Sequence, residues 1–297
     1  MSETVHIFKK EYKIPRRPNE AVARDRHAQE IVNEFCNGKR GRDSAILKAL
    51  DMALESEVGD LFTDILASGT VVYRARIVKD EEISADKGIS IDKNMQTTGF
   101  DEENCMEAPL GMSNVGRNNI AGMSYLYVAG DSETACIEMK AVPKSIISLA
   151  EIEVMRDMRL FDMSSGYYSS ETLGSLDYSA IYEEIVRLFY RPVSEKKTYE
   201  ATQIISDYIR KMGYDGIVYN SFYTYGKNYT IFNSYHKYFK FLSSRLLAVQ
   251  GTIQYYWDFN DNEPACTNTR GADYLWNQSK DVADFIIKKL NKSDTEV

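Results

Sequence analysis

The sequence predicts an α+β protein in which an N-terminal helical region precedes a set of short strands and helices. Apolar residues recur at helical spacing from Asn19 to about Ala67, and short β-branched runs replace them from Gly69 onward. Further strands then alternate with two helical segments over 178–191 and 199–212. The 297 residues, of which 43% are hydrophobic, are enough to build one large domain or two domains.

The N-terminal region combines a polar arm with at least two helices. Residues 1–18 are polar and basic and end in IPRRP, so they are predicted to form an arm. The run NGKRGR at 37–42 interrupts the helical pattern that follows and separates two helices. The pattern continues through Leu61, Phe62 and Ile65, which predicts that helix extends that far.

The middle of the chain predicts a strand, a long loop and a strand–turn–helix unit. TVVYRARIV at 70–78 is short and β-branched and is predicted to be a strand. Residues 80–120 carry few apolar anchors, which indicates a long loop of the kind that is usually functional or mobile. MSYLYVA is predicted to be the next strand, and Asp131 with Ser132 is predicted to cap the helix that begins SETACIEMK.

The C-terminal half predicts further strands and a final helix. The strands are expected in ISLAEIEV, RLFDM, GYDGIVYNS, YTIFN and SRLLAVQGTIQYYW. KDVADFIIKKLNK has the amphipathic spacing of a helix that packs on the outside. We therefore predict an N-terminal helical region over 1–66, a main domain over 67–255 and a C-terminal helical tail over 256–297.

Composition narrows the class of partner. A net charge of −8 and a pI near 5.1 argue against a nucleic-acid partner. No apolar run approaches the roughly 20 residues that span a bilayer, and the start lacks the apolar core of a signal peptide. We therefore expect a cytoplasmic protein with no membrane partner. The four cysteines form no CxxC pair, which favours isolated, reduced thiols over disulfides or a zinc site.

Several common chemistries lack the residues they need. His6, His27 and His236 lie far apart without a second ligand at helical spacing, so metal catalysis and a Ser-His-Asp triad are poorly supported. GKNYT at 226–230 lacks the leading glycine and the following Ser or Thr of a phosphate loop. No GxGxxG follows a strand, which argues against a Rossmann fold. We therefore expect no metal and no bound cofactor.

Three blocks in order resemble the RES domain family, which takes its name from an arginine, a glutamate and a serine. The blocks are TVVYRAR, then GRNNIAGMSYLYVAGDSETACIE, then YEATQIISDYIRKMGYDGIVYNSF with GKNYTIF. The resemblance implies a fold like that of ADP-ribosyltransferase toxins, with a bent mixed β-sheet and flanking helices around an NAD cleft. It also implies NAD as the substrate and, in many members, a small helical antitoxin that blocks the cleft.

Carried over residue by residue, the resemblance implies that Arg74, Glu138 and Ser221 are catalytic. A carboxylate stabilises an oxocarbenium-like state, which is the role implied for Glu138. A guanidinium binds pyrophosphate oxygens through paired, charge-assisted hydrogen bonds, which is the role implied for Arg74. Ser221 is expected to hold the ribose on the nicotinamide side. Because nicotinamide is already a cationic leaving group, no metal and no general acid are required.

Four further residues are expected to bind the substrate. Arg117 lies where the family usually has an arginine beside an asparagine, and it is expected to share the pyrophosphate with Arg74. Tyr127 is expected to pack either against the nicotinamide ring or in the core. Asn228, in GKN, resembles a family asparagine near the cleft. Arg76 points to the same strand face as Arg74 and can substitute for it.

Three functions stay open at this point. The first is an NAD-degrading enzyme, a phosphorylase with phosphate as co-substrate or a glycohydrolase, that acts as a growth-arrest toxin in toxin–antitoxin systems or phage defence. The second is a mono-ADP-ribosyltransferase that modifies a host protein. A deep, closed cleft with room for phosphate would favour the first function, whereas an open rim beside Glu138 would favour the second. The third is non-enzymatic binding in an NAD-like pocket. Residues 1–66 are expected to bind an antitoxin, sense a trigger, occlude the cleft or join copies in a homo-oligomer.

Overall fold

The computed structural model describes most of the chain. The described residues are 3–7, 10–14, 19–38, 43–55, 62–91, 96–108, 111–164, 176–191, 199–232, 238–249, 256–258 and 263–265.

Six α-helices lie in the described part of the chain. They are α1 (Asn19–Cys36), α2 (Asp43–Glu55), α3 (Glu102–Cys105), α4 (Ser132–Glu138), α5 (Leu176–Tyr190) and α6 (Tyr199–Lys211). The helices predicted over 178–191 and 199–212 are thus confirmed as α5 and α6. None of these helices has the length and apolar character that crossing a membrane requires.

Fourteen strands accompany them in the same described residues. They are β1 (Glu3–Ile7), β2 (Lys10–Ile14), β3 (Thr63–Leu66), β4 (Val71–Val78), β5 (Ser90–Ile91), β6 (Thr97–Thr98), β7 (Leu126–Ala129), β8 (Ile146–Val154), β9 (Met158–Met163), β10 (Gly216–Asn220), β11 (Lys227–Ile231), β12 (Phe239–Ala248), β13 (Tyr256–Asp258) and β14 (Glu263–Ala265).

Eight strands form one mixed sheet. Its order is β12-β8-β4-β7-β11-β10-β9-β3, and every neighbouring pair is antiparallel except β9 and β10. Strands that are distant along the chain lie side by side, as β7 and β11 do. The predicted class, a mixed sheet with flanking helices behind an N-terminal helical region, is confirmed.

The sheet is weakly joined between β4 and β7. Strand β4 pairs with β8 along its whole length, from Val71 to Val78, but it meets β7 only at Tyr73 and Ala129. Helix α4 packs against β4, β7 and β8 at this junction. The junction therefore separates the sheet into two parts, and α4 packs against strands of both parts.

The two faces of the sheet are covered differently. On the helix face, Ile217 and Tyr219 of β10 pack with α1, α2, α5 and α6, while Ala75 and Ala129 pack under α4. The opposite face, called the loop face below, is covered by apolar residues from 83–89 and 100–106. Because side chains alternate along a strand, Arg74 and Arg76 of β4 share the loop face with Val72 and Val78.

Residues 63–66 form strand β3, and the helix predicted there from its apolar spacing is wrong. Strand β3 pairs with β9 at the edge of the sheet, where Ile65 is exposed and the adjacent Phe62 is fully buried against Phe161 and Tyr182. A short edge strand with apolar residues on both faces shows no clean alternation. Apolar spacing therefore does not separate such a strand from a helix.

The two ends of the chain also differ from the prediction. The arm predicted over 1–18 contains β1 and β2, a hairpin whose strands pair with each other and with no other described strand. Within SRLLAVQGTIQYYW the main sheet stops at Ala248, and β13 pairs with β14 instead. The predicted helix KDVADFIIKKLNK lies outside the described residues, as does most of the predicted tail over 256–297.

Helices α1 and α2 share a core with the rest of the protein. Ile31 and Phe35 of α1 and Ile46 and Leu50 of α2 are buried in the same cluster as the apolar faces of α5 and α6. The boundary predicted after residue 66 therefore runs between segments that pack together. A fragment without α1, α2 and β3 loses one edge strand and part of this cluster.

Candidate active site

Helix α4 is positioned by capping interactions at both ends. The Asp131 carboxylate accepts a hydrogen bond from the Thr134 backbone N–H at 2.7 Å, which confirms the predicted cap. Glu138 is the last helical residue. Lys140 then adopts a left-handed φ of 50°, which ends the helix soon after Glu138. The local sequence thus places one carboxylate at the C-terminal end of α4.

The turn between β10 and β11 packs against the first turn of α4. A Cβ atom on Gly226 would lie 2.0 Å from Thr134 Oγ1 and 2.4 Å from Asp131 Oδ2, so only glycine fits this close approach. The Thr134 and Thr224 hydroxyls are also 2.8 Å apart. This contact holds the β10–β11 turn beside α4 and brings the residues at both ends of the turn to Glu138.

Two side chains hold the same oxygen of Glu138. Ser221 Oγ donates a hydrogen bond to Glu138 Oε1 at 2.7 Å, and Asn228 Nδ2 donates to the same atom at 2.8 Å. No hydrogen bond from the described residues reaches Glu138 Oε2. One carboxylate oxygen is therefore fixed by the protein, and the other is available to a ligand.

The Ser221 hydroxyl links the carboxylate to the turn. Its oxygen accepts hydrogen bonds from the backbone N–H groups of Tyr223 at 3.1 Å and Thr224 at 3.3 Å. The single hydroxyl proton is then donated to Glu138. Ser221 is buried, so its position is set by these three hydrogen bonds and by its neighbours. Ser221 thus contacts both Glu138 and the turn, and its role in holding the ribose stays a prediction.

Tyr219 and Tyr127 line the same face of the sheet as Asn228. Burial raises the pKa of Tyr219, the Arg117 guanidinium lowers it and the Glu138 carboxylate raises it, so the phenol lies within electrostatic reach of both charges. Burial also raises the pKa of Tyr127. The Tyr127 hydroxyl accepts from the Asn118 backbone N–H at 3.0 Å, so it anchors the segment that carries Arg117.

Arg117 is held at the C-terminal end of α5. Its guanidinium donates to the carbonyl oxygens of Leu188 at 2.6 Å and Arg191 at 2.9 Å, and it lies 5.6 Å from the Tyr199 ring. These contacts satisfy carbonyl groups at a helix end, where a cation is favourable. Only part of the five-donor guanidinium is used in this way, so Arg117 retains donors for an anion.

Arg74 and Arg76 bind the loop that covers the opposite face. Arg74 Nη1 donates to the carbonyl oxygens of Cys105, at 2.7 Å, and of Met106. Arg76 Nη1 donates to the Asn104 carbonyl. Burial, reinforced by the nearby Arg76 charge, lowers the pKa of Arg74 to about 10. The structure thus brings Glu138, Ser221 and Asn228 together and places both strand arginines on the loop face.

Replacing Arg74 with alanine is expected to lower the free energy of unfolding by roughly 1.5–3 kcal/mol, because charged hydrogen bonds to buried carbonyl groups are lost. Chemical denaturation measures this change. Arg245→Ala is the matched control, since Arg245 makes an exposed ion pair with Glu151 that contributes at most about 1 kcal/mol. Unchanged stability together with a raised KM for NAD would instead support the pyrophosphate role implied for Arg74.

Two residues of the site were missed at the sequence level. Tyr219 lies two residues after Ile217 in the strand GIVYN, and side chains at this spacing point to the same face of a sheet. This spacing indicates that Tyr219 lies on the helix face with Ile217. Asn119 is buried and donates to the carbonyl oxygens of Asn114, Ile120 and Met123, which shapes the segment after Arg117. A buried asparagine of this kind leaves no periodic signal.

The described part of the chain contains no cluster of potential metal ligands at this site. No group of three or more His, Cys, Asp or Glu side chains there has the proximity to hold a metal ion. The acidic side chain of the site is Glu138, which accepts hydrogen bonds from the Ser221 hydroxyl and the Asn228 amide. This arrangement suits electrostatic stabilisation of a cation.

Comparison with known proteins supports the resemblance seen in the sequence. The RES domain model matches residues 96–258, which is more than half of the chain. The matched range contains Arg117, Glu138, Ser221 and Asn228, whereas Arg74 precedes it. No curated protein matches the sequence.

One solved structure is similar at low identity. It is a chain of the M. tuberculosis MbcT-MbcA toxin-antitoxin complex, which is 11% identical in sequence to this protein. The match covers 69% of this chain and 92% of the other chain, with a TM-score of 0.39.

Proposed function

Because the chain belongs to the RES domain family, we propose that it cleaves the bond between nicotinamide and ribose in NAD, with phosphate or water as the acceptor. The observation that carries the proposal is the Glu138 carboxylate, fixed through Oε1 by Ser221 and Asn228 and free at Oε2. A carboxylate held in one orientation stabilises a developing positive charge without reorganising during the reaction.

The chemistry needs little beyond this carboxylate and a way to hold the substrate. As the bond from ribose C1′ to nicotinamide N1 breaks, nicotinamide takes the electron pair and leaves as a neutral molecule. The ribose becomes oxocarbenium-like, and Glu138 Oε2 stabilises it by charge or by binding a ribose hydroxyl. An oxygen of phosphate or water then bonds to C1′, and when water is the acceptor one of its protons is released to solvent. Arg117 is the proposed partner of the pyrophosphate, on the same face of the sheet.

The direct test is to incubate the purified full-length protein with NAD, with and without phosphate, and to identify the products by mass spectrometry. Phosphorolysis yields nicotinamide and a phosphorylated ADP-ribose only when phosphate is present. Hydrolysis yields nicotinamide and ADP-ribose in both conditions. Absence of nicotinamide release in both conditions and at several enzyme concentrations would contradict the proposal.

Asn228→Asp is expected to move the acidic side of the pH–rate profile to higher pH. The new carboxylate would lie at hydrogen-bond distance from Glu138, and two such carboxylates retain a shared proton to higher pH than one does alone. The rate near neutral pH therefore falls, and part of it returns at alkaline pH. Asn33→Asp, at an exposed position on α1, is the control and should leave the profile unchanged. Equal profiles for both variants would remove Asn228 from this role.

A second candidate, mono-ADP-ribosylation of a protein, is favoured by one observation. The turn that follows Ser221 exposes Phe222, Tyr223 and Tyr225, and Tyr225 is fully exposed. An open aromatic rim beside Glu138 suits contact with a macromolecule better than enclosure of a small acceptor. Incubation with labelled NAD and a lysate distinguishes the two reactions, because transfer labels protein whereas degradation releases all label as small molecules.

The biological role that we propose is growth arrest through loss of NAD in the cytoplasm. Family membership motivates a toxin role, with a small helical antitoxin as partner and toxin–antitoxin systems or phage defence as the setting. Controlled expression in bacteria tests it. Growth should stop as cellular NAD falls, and expression of Glu138→Gln at the same level should permit growth. Equal arrest by the two forms would separate any toxicity from NAD cleavage.

A further inference from the structure

A cavity lies away from Glu138, between α2, α6 and the segment 118–125. Its volume is about 540 Å³, within the range of small-molecule sites. The walls are largely apolar, and the residues that matter below are Leu47, Asn118, Ile120, Met123, Ile204 and Tyr208. Ile120 lines the cavity from the segment 118–125 and Ile204 lines it from α6, and both side chains are exposed to solvent. Two large apolar side chains at the mouth of one cavity indicate a surface that a ligand can cover.

A buried hydrogen-bond acceptor lies at this cavity. Asn118 lines it and is only 1% exposed. Its Nδ2 donates to Thr230 Oγ1 at 2.7 Å, but its Oδ1 is buried without a hydrogen-bond partner. A buried amide oxygen without a donor is costly, and most such groups in proteins are paired. Asn118 therefore offers an acceptor to a ligand that carries an N–H or O–H group.

The charges near the cavity do not favour a strongly cationic ligand. Its charged lining residues are Glu200, Asp207 and Lys211, all on α6. Asp207 pairs with Arg210 and Lys211, each at 2.7 Å. Those interactions lower the pKa of Asp207. The two carboxylates, Glu200 and Asp207, are balanced by the positive charges of Arg210 and Lys211 on the same helix. Apolar contact and the Asn118 acceptor therefore remain as the main sources of recognition.

Helix α6 also holds the segment that carries Arg117. Gln203 Nε2 donates to the carbonyl oxygens of Gly116 at 2.8 Å and Asn119 at 3.0 Å. Thr202 Oγ1 donates to the Arg117 carbonyl at 2.5 Å. A ligand between α6 and residues 118–125 would therefore contact both α6 and the segment that these hydrogen bonds join to it.

We propose that this cavity is a regulatory site for a small, largely apolar ligand that carries one hydrogen-bond donor. Binding would reinforce the contact between α6 and the segment from Gly116 to Asn119, and so change the mobility of Arg117. The proposal extends the proposed function by adding a means of regulation, but binding to the cavity does not require that NAD be the substrate.

The experiment uses indole and benzofuran, two rings of nearly equal shape of which only indole carries an N–H donor. Ligand-observed NMR titration against the full-length protein gives both affinities. We expect indole to bind threefold to tenfold more tightly, which is the effect of roughly one hydrogen bond. Ile204→Trp and Ile120→Trp fill the cavity from opposite walls and should each abolish binding. Val22→Trp, at an exposed position on α1 outside the lining, should bind indole as wild type does.

Amide hydrogen exchange measures the second half of the proposal. Saturating indole should slow exchange in peptides that cover 111–127, and Ile204→Trp should remove that effect. If indole does not bind, or if both tryptophan variants still bind it, the proposal that this cavity is a ligand site is wrong. Equal affinity for benzofuran overturns the donor requirement, and binding without a change in exchange overturns the regulatory role. None of these measurements depends on NAD cleavage, so their outcomes can be distinguished from a failure of the proposed function.

Discussion

Replacing Glu138 with glutamine is expected to slow nicotinamide release from NAD by about a hundredfold or more while the protein remains folded. Glutamine has nearly the same shape and still accepts hydrogen bonds from Ser221 and Asn228. It lacks the negative charge that stabilises the oxocarbenium-like ribose, and removal of one such electrostatic group typically costs about 3 kcal/mol in the barrier. The measurement is the initial rate of nicotinamide release at saturating NAD, with circular dichroism as the test of folding.

Glu133→Gln is the matched control for this variant. Glu133 lies in the first turn of the same helix and is exposed, so its replacement removes one charge from α4 without touching the site. Its rate should stay within about twofold of wild type, because exposed charges are strongly screened. A Glu138→Gln rate close to that of the control would exclude an electrostatic role for Glu138.

Removal of residues 1–66 is expected to abolish cooperative folding. The fragment 67–297 lacks α1 and α2, whose buried side chains belong to the same core cluster as α5 and α6. It also lacks β3, which pairs with β9, so β9 becomes an open edge. Each large apolar side chain that leaves a core costs about 2–5 kcal/mol, and a protein of this size has only about 5–15 kcal/mol to lose. Solubility and thermal unfolding of the fragment are the measurements.

The fragment 19–297 provides the comparison. It removes β1 and β2, which pair with no other described strand, and it keeps α1, α2 and β3. It should fold and unfold cooperatively near the wild-type temperature. A 67–297 fragment that is equally soluble, cooperative and active would support the predicted domain boundary after residue 66. In that case residues 1–66 would be free for the regulatory or assembly roles expected from the sequence.

The sequence alone determined most of the local structure and the family. Helices α5 and α6, strands β4 and β8 and the Asp131 cap follow from patterns that span fewer than about 20 residues, such as apolar periodicity and a capping side chain. Ordered blocks around Glu138 and Ser221 indicated the RES domain, and the match over 96–258 confirms that family. These signals persist in the sequence because each depends on neighbours along the chain.

Only the tertiary structure decided how the candidate residues meet. Ser221 and Asn228 lie 83 and 90 residues after Glu138, and they reach one of its oxygens because β11 pairs with β7 and Gly226 packs against α4. Arg74 was grouped with them by sequence blocks, yet it binds the loop on the opposite face of the sheet. Alternation along a strand specifies that neighbouring side chains face opposite ways. Which face meets the helices depends on strand order across the sheet, and that order is set by contacts between distant parts of the chain.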